Sequence, residues 1–547
     1  MPEPVLTGPS WPARDSGHLL VSGEQMAALE QQLFASGLPV EALMEKAALA
    51  ACRAIQADWG PHLQRHGAVV LVGPGHNGGD GLVIARELHL AGIDTRIWSP
   101  FERHKPLTAA HLRHALWLGI ERLQQGPDPA GDALWIDALF GIGQRRPLDA
   151  ATETLLRQRQ QRRPATLVAI DIPSGLDDSS GRPLGQTCAQ AAMTYSIGLI
   201  KQGLVQDPAL AAVGRLRRIE LGLPQALLDP LMAGTPLGLT AADGPRAPWP
   251  PLDPAAGKYA RGRLLVIAGS EAYRGAAHLA LLGASASGAG SLRAAMAAPQ
   301  ADALWQLLPH VVLQRRLPCD DAGSLLLAQL TRADLERLDA VLLGPGLGLL
   351  PAGAMAPELD AWELLQTFSG LLVLDADGLN RTTVAWLQGR RGPTWITPHR
   401  DELRRLWPEL ADLPPLEAAE RAATDSGAVV LLKGAHSVIA APDGRRWQLL
   451  ASAPDSARAG LGDVLAGYTA GRGAQALASG PGLQADGAWL AAAALDHALA
   501  GLEAVKRQGP GGACPPQVAQ VLAQRPWSRT RCRRQRDKRD LQMLTVE

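Results

Sequence analysis

The strongest restriction on the architecture of this chain is a unit that recurs along it. A short apolar run ends in glycine or a carboxylate, and a longer helical pattern follows. Ala68 to Val72 passes into Gly73-Pro74-Gly75-His76-Asn77-Gly78-Gly79-Asp80-Gly81 and then a helix expected over Leu82 to Leu90, while Leu134 to Ile136 ends at Asp137 and Leu167 to Ile170 at Asp171. Further on, Leu264 to Ala268, Ala340 to Leu343, Leu371 to Leu374, Thr394 to Thr397 and Val429 to Leu432 repeat the pattern. Runs with no polar alternation are buried on both faces, which a parallel sheet covered by helices provides. Both halves of the chain are therefore expected to be α/β. One departure is a β-hairpin, with Ser437 to Ala440 and Arg446 to Leu450 joined through Asp443-Gly444.

With 547 residues, two such units are expected rather than one. A Pro-rich stretch over 236–254 reads as a linker between domains at 1–235 and 255–525, and 526–547 as a basic, solvated tail. Hydrophobic residues at 46% and charged residues at 19% suit a globular protein and exclude a disordered one. Lys plus Arg (53) balances Asp plus Glu (53), so no global field favours nucleic acid or an anionic membrane, and neither is expected as a partner. Five scattered cysteines without a CxxC pair argue against a disulfide framework or a zinc site and fit a reducing cytoplasm. The first residues lack a basic start followed by an apolar run, so no signal peptide is expected. Gly275 to Leu292 is uncharged, but its Gly, Ser and Ala content and its His278 suit a packed helix better than a membrane span.

The loop after Val72 matches GxGxxG literally and would present backbone N–H groups to a phosphate. A dehydrogenase would end its second strand in an acid, and here that strand ends Ile97-Trp98-Ser99. No Lys-Ser or Lys-Thr follows, so a P-loop is also disfavoured. In a parallel sheet the carboxyl ends of the strands lie on one side, so Asp80, Asp137 and Asp171 are expected to converge there with Asn77 and Ser174. Each Asp alone could equally be a cap or turn residue. Together, amide, carboxylate and hydroxyl oxygens suit a group I or II cation.

Gly73 to Gly81, Asp137-Ala138-Leu139-Phe140-Gly141 and Asp171-Ile172-Pro173-Ser174-Gly175-Leu176-Asp177, with Gln25-Met26 and Leu43-Met44-Glu45 before them, resemble the YjeF N-terminal domain, the NAD(P)H-hydrate epimerase. The resemblance spans about residues 18 to 225. It implies a Rossmann-like domain that interconverts the R and S epimers at C6 of hydrated NADH or NADPH and binds K+. Asn77, Asp137 and Ser174 would hold the cation. His76, Asn77, Gly78, Gly79 and Asp80 would hold the hydrate, with Gly141, Ile142, Gly143, Gln144, Arg145, Arg146 and Pro147 of a second loop. Asp171 would bind it and act catalytically.

In the second half, Gly460-Leu461-Gly462-Asp463 opens a helix with glycines and places a carboxylate in its first turn. Such a helix start can bind developing negative charge, and an acid beside it can take a proton from a hydroxyl. The plain alternative is a helix cap. Arg263 to Ser270, Tyr273-Arg274-Gly275-Ala276, Gly344-Pro345-Gly346-Leu347-Gly348, Leu374 to Asn380, Thr397-Pro398-His399 and Gly462-Asp463 resemble the ribokinase-like superfamily, and within it the ADP-dependent NAD(P)H-hydrate dehydratase. That resemblance covers about 255 to 525. It implies that Ala276, Gly346, Gly348, His399 and Asp463 contact the hydrate, with Asp463 catalytic. Lys433, Gly434, Ala435, His436, Ser437 and Gly462 would contact ADP, a cosubstrate accompanied by Mg2+. Where relatives have Asn-Pro-Gly-Met-Ala-Thr-Gly-Gly, this chain has Ala453-Pro454-Asp455-Ser456-Ala457-Arg458-Ala459-Gly460.

The leading expectation is a bifunctional metabolite-repair enzyme, cytoplasmic and homo-oligomeric. A second reading makes the C-terminal half a small-molecule alcohol kinase. A third makes the N-terminal half a non-catalytic binding module.

Overall fold

The computed structural model describes residues 11–231, 234–350, 358–480 and 485–527. Contacts divide the chain into two compact units between Pro236 and Leu237, with residues 11–13 grouped with the C-terminal one. The basic tail from Ser528 onward lies outside the described residues.

The N-terminal unit is built on seven strands: β1 (Ala68–Val72), β2 (Thr95–Trp98), β3 (Glu121–Leu123), β4 (Leu134–Ala138), β5 (Leu167–Ile170), β6 (Met193–Ile197) and β7 (Arg215–Ile219). They run parallel in the order β3-β2-β1-β4-β5-β6-β7. The order reverses between β1 and β4, and at such a switch point the crevice outside the carboxyl ends is where ligands bind. Helix α1 (Gly23–Ala35) starts at a capping box in which Ser22 and Gln25 satisfy each other's free N–H groups, and α2 (Val40–His66) follows it. Helix α3 spans His76–Leu90, so it begins six residues before the expected Leu82. The glycines after Pro74 are thus its first turns rather than loop. They let it approach the sheet: a Cβ on Gly78 would stand 2.0 Å from the Gly73 carbonyl oxygen, and one on Gly81 would stand 2.5 Å from the Ala138 Cβ.

The C-terminal unit has a ten-stranded sheet made of β8 (Leu237–Leu239), β9 (Arg263–Ile267), β10 (Ser291–Ala297), β11 (Val312–Leu317), β12 (Ala340–Leu343), β13 (Leu371–Leu374), β14 (Thr394–Ile396), β15 (Val429–Leu432), β16 (Val438–Ala440) and β17 (Arg446–Leu449). Its order is β8-β17-β16-β15-β14-β13-β12-β9-β10-β11. The expected hairpin is present as antiparallel β16 and β17. The segment read as a linker is partly sheet. Leu237–Leu239 pairs with β17, and 241–246 forms a 3-10 turn closed by Thr240 and Asp243. Buried Leu237 and Leu239 give this short run the apolar content that its prolines obscured.

One face of the sheet packs on a core that includes Leu265, Val341, Leu372, Trp362 and Leu403. The other receives α4 (Arg274–Ser287), α5 (Leu461–Ala478) and α6 (Gly487–Gln508). Helices α4 and α5 meet at van der Waals distance through glycine: a Cβ on Gly467 would stand 1.8 Å from the Ala280 carbonyl oxygen. Helix α6 is long and apolar enough to cross a membrane, but most of it is buried inside this unit. Its buried Asp496 accepts hydrogen bonds from Tyr468 Oη at 2.7 Å and Trp527 Nε1 at 2.8 Å, as a core helix would.

Candidate active sites

At the β1/β4 switch point lies a cavity of about 410 Å³. Its walls include Glu30 and Phe34 of α1, Met44 of α2, the start of α3, residues 139–144, Asp171 and Ile197. Of the expected hydrate-binding residues, His76, Asn77, Asp80, Gly141, Ile142, Gly143, Gln144 and Asp171 line it. Gly78 and Gly79 do not; they are buried in α3, Gly79 against the Met44 sulfur. Arg145 is half exposed and its Nη1 reaches the buried Asp178 at 3.4 Å, while Arg146 and Pro147 are exposed beyond the cavity.

Asp171 sits just past β5 at φ +68°, a left-handed conformation unusual for a residue with a Cβ, and such strain concentrates at functional sites. It is held there by its own side chain. Oδ1 accepts from the Ile197 N–H at 3.2 Å and is ion-paired with the buried Lys201. Lys201 Nζ also donates to the Ile197 carbonyl at 2.7 Å. Two more carboxyls share this cavity. Burial, and after it the nearby Asp171 charge, pushes Glu30 up to about 7, with Lys201 opposing. The same two causes, then Glu30, hold Asp80 well above the usual carboxylate range.

Asp137 does not join these acids. It is fully buried and does not line the cavity, because its oxygens are engaged by Ser174 N (2.8 Å), Ser174 Oγ (2.7 Å) and Leu139 N (3.2 Å). Burial raises it to about 6 against those hydrogen bonds. Asn77 donates weakly to the Ile170 carbonyl at 3.3 Å, but its Oδ1 is buried without a hydrogen-bond partner. By donor chemistry a carboxylate, a hydroxyl and an orphaned amide oxygen suit a monovalent cation, while Asp137 and Ser174 are here hydrogen-bonded to each other. Among the described residues there is no cluster of three His, Cys, Asp or Glu side chains that could hold a metal ion.

In the C-terminal unit, β15, β14, β13, β12 and β9 are consecutive parallel neighbours, so their following loops lie side by side. Asp375 follows β13, and Ala376 after it is at φ +47°. Lys433, just after β15, donates to Asp375 Oδ1 at 2.7 Å and lies 3.8 Å from Glu402. Thr397 donates to the same Asp375 oxygen at 2.7 Å. Burial lowers the Lys433 ammonium, but Asp375 and Glu402 outweigh it and raise the group overall. Gly460, at φ +91°, turns the chain into α5, and Asp463 stands in the first turn. Burial pushes Asp463 up to about 7; Asp375 adds to the rise and Lys433 opposes it.

Ala276 opens α4 beneath the glycine loop, where a Cβ on Gly346 would stand 2.6 Å from the Ala276 Cβ. The Gly348 N–H donates to Asp377 at 2.8 Å. His399 is half exposed and caps the helix Arg400–Leu406, accepting from the Asp401 N–H at 3.1 Å. Lys433, Gly434, Ala435, Ser437 and Gly462 line a cavity of about 420 Å³ together with the 453–458 segment; His436 does not line it.

Sequence reasoning missed four side chains here. Lys201 pairs with Asp171; Glu402 lies beside Lys433 and accepts from the His399 N–H; Glu30 faces the first cavity. His497 lines the second, with Nε2 buried and unpartnered, and burial depresses it to about 4. Only Lys201 left a trace, as a lone charge after the apolar run Ile197 to Ile200.

A Rossmann-like unit with an acid-lined switch-point cavity, followed by an α/β unit with a carboxylate in a glycine-opened helix, defines a two-site enzyme class acting on small molecules. Residues 40–203 match the family described as YjeF-related protein N-terminus, and residues 264–524 match NAD(P)H-hydrate dehydratase. The chain belongs to the bifunctional NAD(P)H-hydrate repair enzymes. It is 41% identical over 499 residues to the bifunctional NAD(P)H-hydrate repair enzyme Nnr of Gloeobacter violaceus, covering 89% of this chain and 95% of that one. The Synechocystis enzyme of the same name is 39% identical over 458 residues, covering 83% and 85%. A solved ADP/ATP-dependent NAD(P)H-hydrate dehydratase from Bacillus subtilis, co-crystallised with ATP/Mg2+, is 24% identical with a TM-score of 0.42, covering 52% of this chain and 96% of that one.

Proposed function

We propose that the N-terminal unit equilibrates the R and S epimers of hydrated NADH or NADPH at C6, and that the C-terminal unit dehydrates the S epimer with ADP. Water added next to the ring nitrogen leaves a hydroxyl on C6, and only one configuration can be presented to a fixed base. An epimerase in the same chain therefore lets both configurations be recovered.

The observation that carries this reading is the placement of Asp463. It follows the glycines of a helix N-terminus, beside Lys433, with a carboxyl poised near neutrality. A base whose pKa matches the working pH is effective in proton transfer. Asp463 takes the C6 hydroxyl proton as its oxygen attacks the β-phosphorus of ADP, and AMP leaves. Lys433, the free N–H groups of α5 and the Gly434 to Ser437 turn hold the phosphates, the role for which unsatisfied helix-start donors suit. The ring nitrogen then expels phosphate from C6, and loss of a C5 proton restores the dihydronicotinamide. Mg2+ would accompany the nucleotide and neutralise its phosphates.

In the first site, Asp171 handles the C6 hydroxyl, and the two loops at 76–80 and 141–147 position the hydrate. K+ held by Asn77, Asp137 and Ser174 would offset the buried carboxylate and tie the loops after β4 and β5. The four described cysteines are all free, which supports a cytoplasmic setting; self-association completes the reading.

The test is chromatography of mixed-epimer NADH hydrate incubated with the full chain, with and without ADP. Complete recovery of NADH with AMP and free phosphate is expected. Phosphate retained on the product would instead make the C-terminal unit an alcohol kinase.

A further inference from the structure

We propose that Glu30 is the general acid of the epimerase site, protonating the ring nitrogen of the hydrate while Asp171 removes the proton of the C6 hydroxyl. The inference rests on the epimerase reading of that cavity and deepens it.

Three observations carry it. Glu30 projects from α1 into the cavity, on a helix anchored by its capping box and by the buried Met26, Leu29 and Leu33. Among the described residues nothing hydrogen-bonds or ion-pairs with its carboxyl, whose charged neighbours include Asp171, Lys201 and Asp80. Asp171 is the opposite case. Its Oδ1 is fixed by Lys201 and the Ile197 N–H, leaving Oδ2 on the side of Gly141, a cavity-lining residue.

Glu30, Asp80 and Asp171 thus lie around one ammonium, and of the three only Asp171 is ion-paired with it. Paired acids in unlike environments divide into a base and a proton carrier. Glu30, raised to about 7, holds its proton for much of the time at neutral pH. His76, Lys105 and Asp80, the fifth residue of α3, also line the cavity; burial lowers the His76 imidazole, which disfavours its protonated form.

The step balances. Asp171 takes the hydroxyl proton, the C6–O bond becomes a carbonyl and the C6–N1 bond breaks as N1 accepts the Glu30 proton. Rotation about C5–C6 presents the other carbonyl face. N1 re-adds, Glu30 recovers its proton and Asp171 returns the other to oxygen. No oxidant, reductant or further reactant is needed.

The test uses the full chain and resolves R and S NADH hydrate by chromatography over time, at several pH values. The unsubstituted protein should exchange the epimers more slowly as pH rises through about 7, because the proton carrier is then lost. Glu30→Gln should slow exchange by roughly 10²–10⁴-fold, lose that pH dependence and keep the KM for hydrate. ADP-driven dehydration of the S epimer in the same molecule should be unchanged. Glu30→Asp, which keeps the acid but withdraws it, should lose about tenfold or more in kcat with KM unchanged; it decides the matter if the Gln variant does not fold. Exchange by Glu30→Gln within tenfold of the original, or a pH limb that survives the substitution, overturns the assignment while leaving the epimerase reading intact. No exchange by the unsubstituted protein would overturn both.

Discussion

Asp463→Asn should make the C-terminal unit both inactive and more stable, by an amount that depends on pH. Burial first, then Asp375, moves the Asp463 carboxyl from an ordinary 3.8 to about 7 in the folded chain. A group that binds its proton more tightly when folded contributes stability below its unfolded pKa. That contribution is lost as pH climbs between the two values and is gone above the folded one. At about 1.4 kcal/mol per pKa unit, a rise of roughly three units costs the folded state up to about 4 kcal/mol above pH 7. Asn has the same shape and no proton to lose, so it escapes the cost. With about 2–4 °C per kcal/mol for a domain of this size, the variant's transition should lie up to roughly 8–16 °C higher at pH 8 and close to the original at pH 4. ADP-dependent NADH recovery should fall by about 10²–10⁴-fold. Melting curves across pH 4–8.5, with activity measured on the same samples, test both parts. A melting difference that does not grow with pH would refute the electrostatic argument, and near-normal NADH recovery would refute the catalytic one.

Removing one partner of a buried ion pair costs about 3–5 kcal/mol, so Asp171→Asn and Lys201→Met should each destabilise the N-terminal unit strongly. The double variant should recover part of that loss in denaturant titrations; additive losses would show the pair to be uncoupled. Asp171→Asn should also slow epimer exchange while sparing dehydration of the S epimer. Potassium should raise the melting temperature of the N-terminal unit more than an equal concentration of tetramethylammonium does, and Asn77→Ala should abolish that difference. An equal response in the variant would remove Asn77 from the cation site. Gly467→Ala should separate α4 from α5 and cost on the order of 3 kcal/mol, since the new Cβ would stand 1.8 Å from backbone oxygen that has nowhere to move. An unchanged unfolding midpoint would contradict this packing.

Much of the architecture was legible because buried parallel strands need continuous apolar runs, and their ends need glycine or a short polar residue. Val69, Ile136, Val168, Val341 and Val430 announce their strands in this way, and Asp463 announces its helix start. Strands with mixed surroundings stayed hidden: β11 carries Gln314, Arg315 and Arg316 at a sheet edge, and β10 interrupts its apolar run with Arg293. The linker was misjudged because proline signals a break locally, whereas Leu237–Leu239 is a strand only because β17 offers an edge to it.

The sequence determined which chemical groups are available at the strand ends, since a loop's glycines, acids and amides are fixed by position. Tertiary structure decided which of them face one another. Three acids expected to converge separated into two settings, with Asp137 enclosed by Ser174 and Leu139 while Asp80 and Asp171 share a cavity with Glu30. Lys201 lies 30 residues from Asp171 along the chain and Lys433 lies 58 from Asp375, yet each is the ammonium beside its carboxylate. Charge, burial and pKa depend on distance through space, and a linear chain carries that information only after the sheet has brought its strand ends together.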